Sequence, residues 1–188
     1  MLVCNSPPFV GILPSKTGTR SVHYLLRSRF PLYSLDPHHG VAPEIKAYAK
    51  HFTFCTVRSP FSRMVSYWRH VRRRESIPPG SDDARIRLTE EANETDFATF
   101  VQKWVLLPIS EEIRGVRVDY LIRMEQFVHD VRHLPFPGMA KIAVPHEHKS
   151  LEGDWRELYK SQPVVIDWVR DRYREDFDQF GYSMEIPW

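Results

Sequence analysis

Apolar and polar positions alternate along this chain in blocks that change period. Phe9–Leu13 is a short apolar run closed by Pro14, the signature of a buried strand. Ser15–Gly18 reads as a turn. Thr19–Arg29 then takes helical spacing, with Val22, Leu25 and Leu26 on one face. Pro31–Gly40 reads as a loop with a short extended stretch at Leu32–Leu35, and Pro43–Lys50 as a brief helix opened by its proline. His51–Val57 (HFTFCTV) is β-branched and aromatic and is bounded on both sides, which predicts a strand. Ser59 is placed to cap the next helix and Pro60 fits its first turn; the pattern runs to about Arg74. On that helix Phe61, Met64, Val65, Trp68 and Val71 share one arc. Ser62, Ser66, Arg69 and Arg73 share the opposite one, with Arg63 and His70 beside them.

Further on, Ser76–Glu94 is polar, with Pro78-Pro79-Gly80 and paired acids, and reads as a mobile surface loop. Asp96–Trp104 is predicted helical, Arg117–Ile122 a strand, Glu125–Val131 a short helix and Pro135–Ser150 irregular. A long helix is predicted from Pro163 to Phe180, with Val165, Val169, Tyr173, Phe177 and Phe180 as its buried stripe and Gly181 as its stop. Trp155, Tyr159, Trp168 and Tyr173 fall at core-like spacing and read as packing. Strand–turn–helix units in alternation predict an α/β fold with a central, mostly parallel sheet flanked by helices.

Composition changes this picture little. A length of 188 residues fits one domain spanning 1–188, large enough to bury a core without staples. The net charge of +2, from 26 basic and 24 acidic residues, marks neither a nucleic-acid coat nor an acidic tail. Two cysteines, Cys4 and Cys55, make no disulfide framework and favour a reducing compartment. Met1–Pro8 lacks the basic and apolar regions of a signal peptide, and no apolar run approaches the roughly 20 residues of a membrane span. The chain therefore reads as soluble and cytoplasmic, with no membrane and no nucleic-acid partner.

The first chemical feature is strand, then PSKTGTRS (Pro14–Ser21), then helix. Such a turn aims backbone N–H groups at the start of the helix, where they and the helix dipole stabilise a phosphate. Lys16 adds a charge, Thr17, Thr19 and Ser21 add hydroxyl donors, and Gly18 permits close backbone approach. No glycine immediately precedes Lys16, so the ATPase pattern G-x-x-x-x-G-K-[ST] fails. Taken alone, the segment reads equally as an ordinary polar turn. The second feature is Arg58, delivered at the end of the HFTFCTV strand, where ligands bind in open α/β sheets. Its guanidinium can grip a phosphate with two parallel N–H bonds, and Ser66, two turns into the following helix, can donate to the same anion. Read singly, Arg58 and Arg63 are also candidates for structural salt bridges.

Together these segments resemble the sulfotransferases that use 3′-phosphoadenosine 5′-phosphosulfate (PAPS), particularly the carbohydrate sulfotransferase branch. That family carries a P-K-T-G-type loop for the 5′-phosphosulfate and R-[DN]-P-x-x-R-x-x-S-x-[YFW] for the 3′-phosphate. This chain matches the loop with Lys16, Thr17, Gly18 and Ser21, and departs from it with Ser15 after Pro14 and with Thr19-Arg20. It matches the second pattern with Arg58, Pro60, Arg63, Ser66 and Trp68, with Ser59 in the acidic or amide position. Tyr120–Asp130, His148-Lys149-Ser150 and Tyr173–Tyr182 resemble later family segments. The likeness is close over about residues 9–70, looser over 118–182, and does not extend to 71–117.

The resemblance implies a P-loop-like three-layer sandwich. It also implies a nucleotide site made of Lys16, Thr17, Gly18, Thr19, Arg20, Ser21, Arg58, Ser66, Lys149 and Ser150, with PAP as product and no metal. A general base is implied in the loop before the second strand, where His38 and His39 stand; His39 fits the family spacing better. Histidine can take a hydroxyl proton near neutral pH, and Lys16 would neutralise charge on the leaving phosphate. The acceptor would be a hydroxyl compound, a carbohydrate or other small metabolite, with an anionic glycan drawn by the Arg69–Arg74 cluster as one candidate. The alternatives are a P-loop nucleotide kinase and a catalytically inert PAP-binding module. His146-x-His148 offers only two ligands in a loop and is a weak metal motif. Oligomeric state is not legible.

Overall fold

A computed structural model describes residues 1–35, 43–73, 83–144 and 153–188. The chain divides into two compact units, Met1–Arg58 with Ile109–Leu151, and Ser59–Pro108 with Glu152–Trp188.

The first unit is built on a sheet. Its strands are β1 (Leu2–Asn5), β2 (Pro8–Ile12), β3 (Tyr33–Ser34), β4 (Phe52–Val57) and β5 (Tyr120–Arg123). Among the described residues they form one five-stranded sheet in the order β3-β1-β2-β4-β5. β2, β4 and β5 are parallel, with Ile12 beside Cys55 and Cys55 beside Leu121. β1 runs antiparallel to both β2 and β3, so the sheet is mixed, with its parallel strands together. The sequence reading of a mostly parallel sheet holds for β2, β4 and β5. It misses β1, whose run Leu2-Val3-Cys4 is too short to mark a strand without its hairpin partner.

The register places Leu2, Cys4, Phe9, Leu13, Phe54 and Ile122 on one sheet face, where they form a buried cluster. Helix α1 (Thr19–Arg27) contributes Val22, Leu25 and Leu26 to it, as its spacing predicts. Val131, Leu134, Phe136, Met139 and Ile142 complete the cluster from the segment after β5. Phe9 stacks on Phe136 at 4.4 Å and meets Phe30 edge-on at 5.5 Å. On the opposite face Val3, Val10, Ile12, Cys55 and Val57 are fully buried as well.

The second unit is helical. It contains α2 (Pro60–Arg72), α3 (Asp83–Glu94) and α4 (Phe97–Lys103), and, after the short α5 (Ile109–Glu112) and α6 (Phe127–Arg132) of the first unit, α7 (Arg156–Ser161), α8 (Val164–Arg172) and α9 (Arg174–Phe180). Its core gathers Phe61, Met64, Val65, Trp68 and Val71 of α2 with Phe97, Phe100, Tyr159, Val165, Val169, Tyr173 and Phe177. Asp96 caps α4 by accepting from the Thr99 N–H at 2.8 Å, which holds its carboxyl below the usual carboxylate range.

Two expectations are corrected in this unit. Residues 83–94, within the segment read as a loop, are helix α3; among its described side chains Leu88, Thr89 and Ala92 are buried, a stripe too small and too polar to register as apolar periodicity. The helix predicted from Pro163 to Phe180 is two helices, interrupted at Tyr173 (φ −112°, ψ 21°). Its predicted stripe is buried throughout, and Gly181 ends it at φ 68°. On α2, Ser62 and Arg63, on and beside the arc of hydroxyls and cations, are both buried, and the salt-bridge candidate Arg63 finds an acidic partner. Arg63 donates to the Leu107 carbonyl at 3.0 Å and faces the buried Asp176 carboxylate at 3.9 Å. Nearby, Tyr173 donates to the Leu106 carbonyl at 2.9 Å, and burial pushes its phenol well up. Among the described residues no helix is long and apolar enough to cross a membrane.

Candidate functional site

β2 and β4 are adjacent and parallel, so both end at the same edge of the sheet. The segments leaving the two strands therefore meet at that edge. After β2, Leu13 and Pro14 are buried and the chain turns sharply. The Thr17 N–H returns to the Pro14 carbonyl at 3.4 Å, while Lys16 (φ 67°) and Gly18 (φ 77°) both adopt left-handed backbone. That conformation costs a lysine free energy, so its surroundings must hold it there. A side chain on Gly18 would also run into the Met124 thioether. α1 begins directly after Gly18 with no side-chain cap and no acid in its first turn. The N–H groups of a helix's first turn have no partner within the helix, so this end of α1 is electropositive. Arg20 is exposed beside it, and Ser21 is half-buried.

Buried hydroxyls set the turn. Thr17 Oγ1 donates to the Pro14 carbonyl at 2.6 Å and lies 2.6 Å from Thr56 Oγ1. A hydroxyl has one proton. With Thr17's committed to Pro14, Thr56 is the donor in the second bond. Thr19 Oγ1 also donates to Pro14, at 3.2 Å. Thr17 and Thr56 are fully buried, so this relay pins the loop to β4. The sequence reading has Thr17 and Thr19 present hydroxyls to a phosphate; in this arrangement their protons tie the turn together.

Thr56 is the residue that sequence reading misses. Its signal is a break in pattern: on the β4 face carrying Phe52 and Phe54, the third position is a threonine, at the strand end nearest the loop.

Arg58 comes directly after β4. Its Nη1 donates to the Lys16 carbonyl at 3.4 Å, so the guanidinium reaches the left-handed peptide of the loop. The uncapped end of α1, the Lys16 turn and Arg58 thus come together at one sheet edge. This concentration of donors and positive charge is chemically suited to a phosphate or sulfate group.

The other predicted residues divide into two sets. Ser66 lies half-buried on α2, in the second unit. His38, His39, Lys149 and Ser150 lie outside the described residues, as do His146 and His148. Among the described residues no group of three or more His, Cys, Asp or Glu side chains gathers as a metal site. Comparisons with protein-family models, with curated proteins and with solved structures find no match to this chain.

Proposed function

We propose that this chain is a PAPS-dependent sulfotransferase acting on a hydroxyl acceptor, with a P-loop-like strand–turn–helix as its nucleotide cradle. The observation that carries the reading is the meeting of the Lys16 turn and Arg58 at neighbouring parallel strand ends, with Arg58 Nη1 3.4 Å from the Lys16 carbonyl. A nucleotide bearing phosphates at its 5′ and 3′ positions needs two anion cradles close together, and this edge supplies both. The donor set fits: backbone N–H groups, an ammonium and a guanidinium, all suited to oxyanions.

When bound, PAPS supplies the sulfuryl group. The α1 N-terminus and Lys16 hold the 5′ end, and Lys16 neutralises the charge that grows on the bridging oxygen. Arg58 holds the 3′-phosphate; the resemblance adds Ser66 to that task and gives Lys149 and Ser150 to a loop that covers the nucleotide. His39, or His38 in its place, would take the acceptor's hydroxyl proton, and Lys16 would offset the charge left with PAP as the sulfuryl group passes to the acceptor oxygen. A loose transition state leaves most of the rate to positioning and electrostatics. Cys4 and Cys55, both buried free thiols, suit a reducing compartment such as the cytoplasm.

Calorimetry with PAP and, separately, with ATP plus Mg²⁺ tests the reading. PAP should bind without metal and more tightly than ATP, and Arg58→Ala should weaken it roughly 10- to 100-fold, the worth of hydrogen bonds to a charged group. Preference for ATP with Mg²⁺ would move the chain to the phosphotransferases. Unchanged PAP affinity in Arg58→Ala would undo the 3′-phosphate assignment. PAP binding without any turnover of PAPS, across a panel of hydroxyl acceptors, would leave a binding module.

A further inference from the structure

The outer face of α1 carries charge that no nearby acid balances. Val22, Leu25 and Leu26 turn inward, and helical spacing puts Arg20, Tyr24 and Arg27 on one outward stripe, with His23 beside them. Arg20, Tyr24 and Arg27 are exposed and His23 is half-buried. Arg29 is exposed just beyond the helix end. Surface cations on the helices of the second unit are arranged differently, each beside an acid three residues away. Lys160 meets Glu157 at 2.7 Å, Arg170 meets Asp167 at 3.0 Å and Arg174 meets Asp171 at 2.9 Å. No such pairing is open to α1: neither its own residues nor any other between 1 and 35 is Asp or Glu. Arg20, Arg27 and Arg29 therefore reinforce one another, on the helix whose uncapped, acid-free first turn forms part of the anion cradle.

Distance decides what these charges do. At 1.5 Å per residue, the Arg27 backbone lies about 13 Å along the helix axis from Gly18. Its side chain is too short to bond an anion held at the first turn, so it acts there only through its field. That field reaches over a Debye length of about 30 Å in 10 mM salt and about 10 Å in 100 mM. In dilute salt it covers the whole length of α1, and in concentrated salt it does not.

We infer that the outer face of α1 is an electrostatic guide that draws a multiply charged nucleotide to the cradle at its N-terminus. The inference rests on the nucleotide reading above and adds a means of selection by charge. Cations arrayed along an approach path raise the association rate of an oppositely charged ligand, while charges in contact with it govern its release. Two phosphate groups, as in PAP, carry about twice the charge of one, as in AMP, and should feel about twice the pull.

Stopped-flow measurements with PAP and AMP, each labelled on the adenine ring, separate the two rate constants. In about 10 mM salt, Arg27→Glu should lower kon for PAP roughly three- to tenfold, with koff unchanged within about twofold. Adding Arg29→Glu should lower kon further, and Arg27→Gln should fall between Arg27→Glu and the parent. The loss should be smaller for AMP. In about 300 mM salt the association rates of parent and variants should converge. Should Arg27→Glu fail to fold, Arg27→Gln and Arg29→Gln carry the same test. An unchanged kon in dilute salt, an effect confined to koff, or a loss that persists in concentrated salt would each overturn the guide while leaving PAP binding intact. Failure of the parent chain to bind PAP would overturn the nucleotide reading and the guide together, so the two failures are told apart.

Discussion

At the scale of single residues, the arginines of the R-S-P-F-S-R segment do different work. Arg58 ends a strand and reaches a loop carbonyl, whereas Arg63, five residues on, is 1% exposed and faces Asp176, also 1% exposed. A buried charge without its counter-charge is expensive, even where the pair itself adds little net stability. Arg63→Met should therefore cost about 3–5 kcal/mol, because it takes the guanidinium from Asp176 and the donor from the Leu107 carbonyl. Removing both charges, as Arg63→Met/Asp176→Leu, should cost less than the single change. Urea unfolding followed by tryptophan fluorescence measures both, and a single-variant cost under about 1 kcal/mol would contradict the assignment. The same reasoning makes Arg63 a stability residue: folded Arg63 variants should keep their PAP affinity, in contrast to Arg58→Ala.

At the scale of elements, the fit of β2 against β4 depends on an atom that is absent. Gly11 pairs with Phe54 across the parallel ladder, and a Cβ there would lie 2.5 Å from Cζ of the Phe54 ring. Phe54 is fully buried, so the ring has nowhere to go. Gly11→Ala should destabilise the chain by roughly 1–3 kcal/mol, the range for overpacking, although alanine loses less backbone entropy than glycine. Adding Phe54→Leu should return part of that loss, and a double-mutant cycle from urea midpoints reads the coupling. Elements whose apolar period is long and uniform are legible in the sequence: β2, β4, α1, α2 and the stripe of α8 and α9. The hidden ones depend on distant partners. α3 buries Thr89 and Ala92, which carry no periodic apolar signal, and β1 is a strand only because β2 and β3 pair with it. The break at Tyr173 escapes because the stripe keeps its spacing across it. A structural salt bridge at Arg63 is legible as a candidate, but its partner is not, because Asp176 lies far along the chain, on α9. For the candidate site, residue types and order are legible, but the Thr17–Thr56 relay is not, since only the fold brings those hydroxyls to 2.6 Å.

At the scale of the whole molecule, the two units are interleaved in sequence. The chain leaves the first after Arg58, returns at Ile109, and leaves again after Leu151. Neither unit is a continuous stretch, so the sheet gains β5 only once the 50 intervening residues, 59–108, have been closed into a loop, and ordering that loop lowers the closure cost. Each unit should therefore stabilise the other through connectivity alone, and urea should unfold both in one transition. The chain carries its own probes for this. Cys4 and Cys55 are both in the first unit and fully buried, while all five tryptophans, Trp68, Trp104, Trp155, Trp168 and Trp188, belong to the second. Thiol labelling reports the sheet and tryptophan emission reports the helices, with no substitution needed. Coincident midpoints by the two probes, with both thiols unreactive before the transition, are the expected result. Midpoints that separate would mean that the sheet unit or the helical unit holds its fold alone, and the proposed coupling through chain connectivity would be wrong.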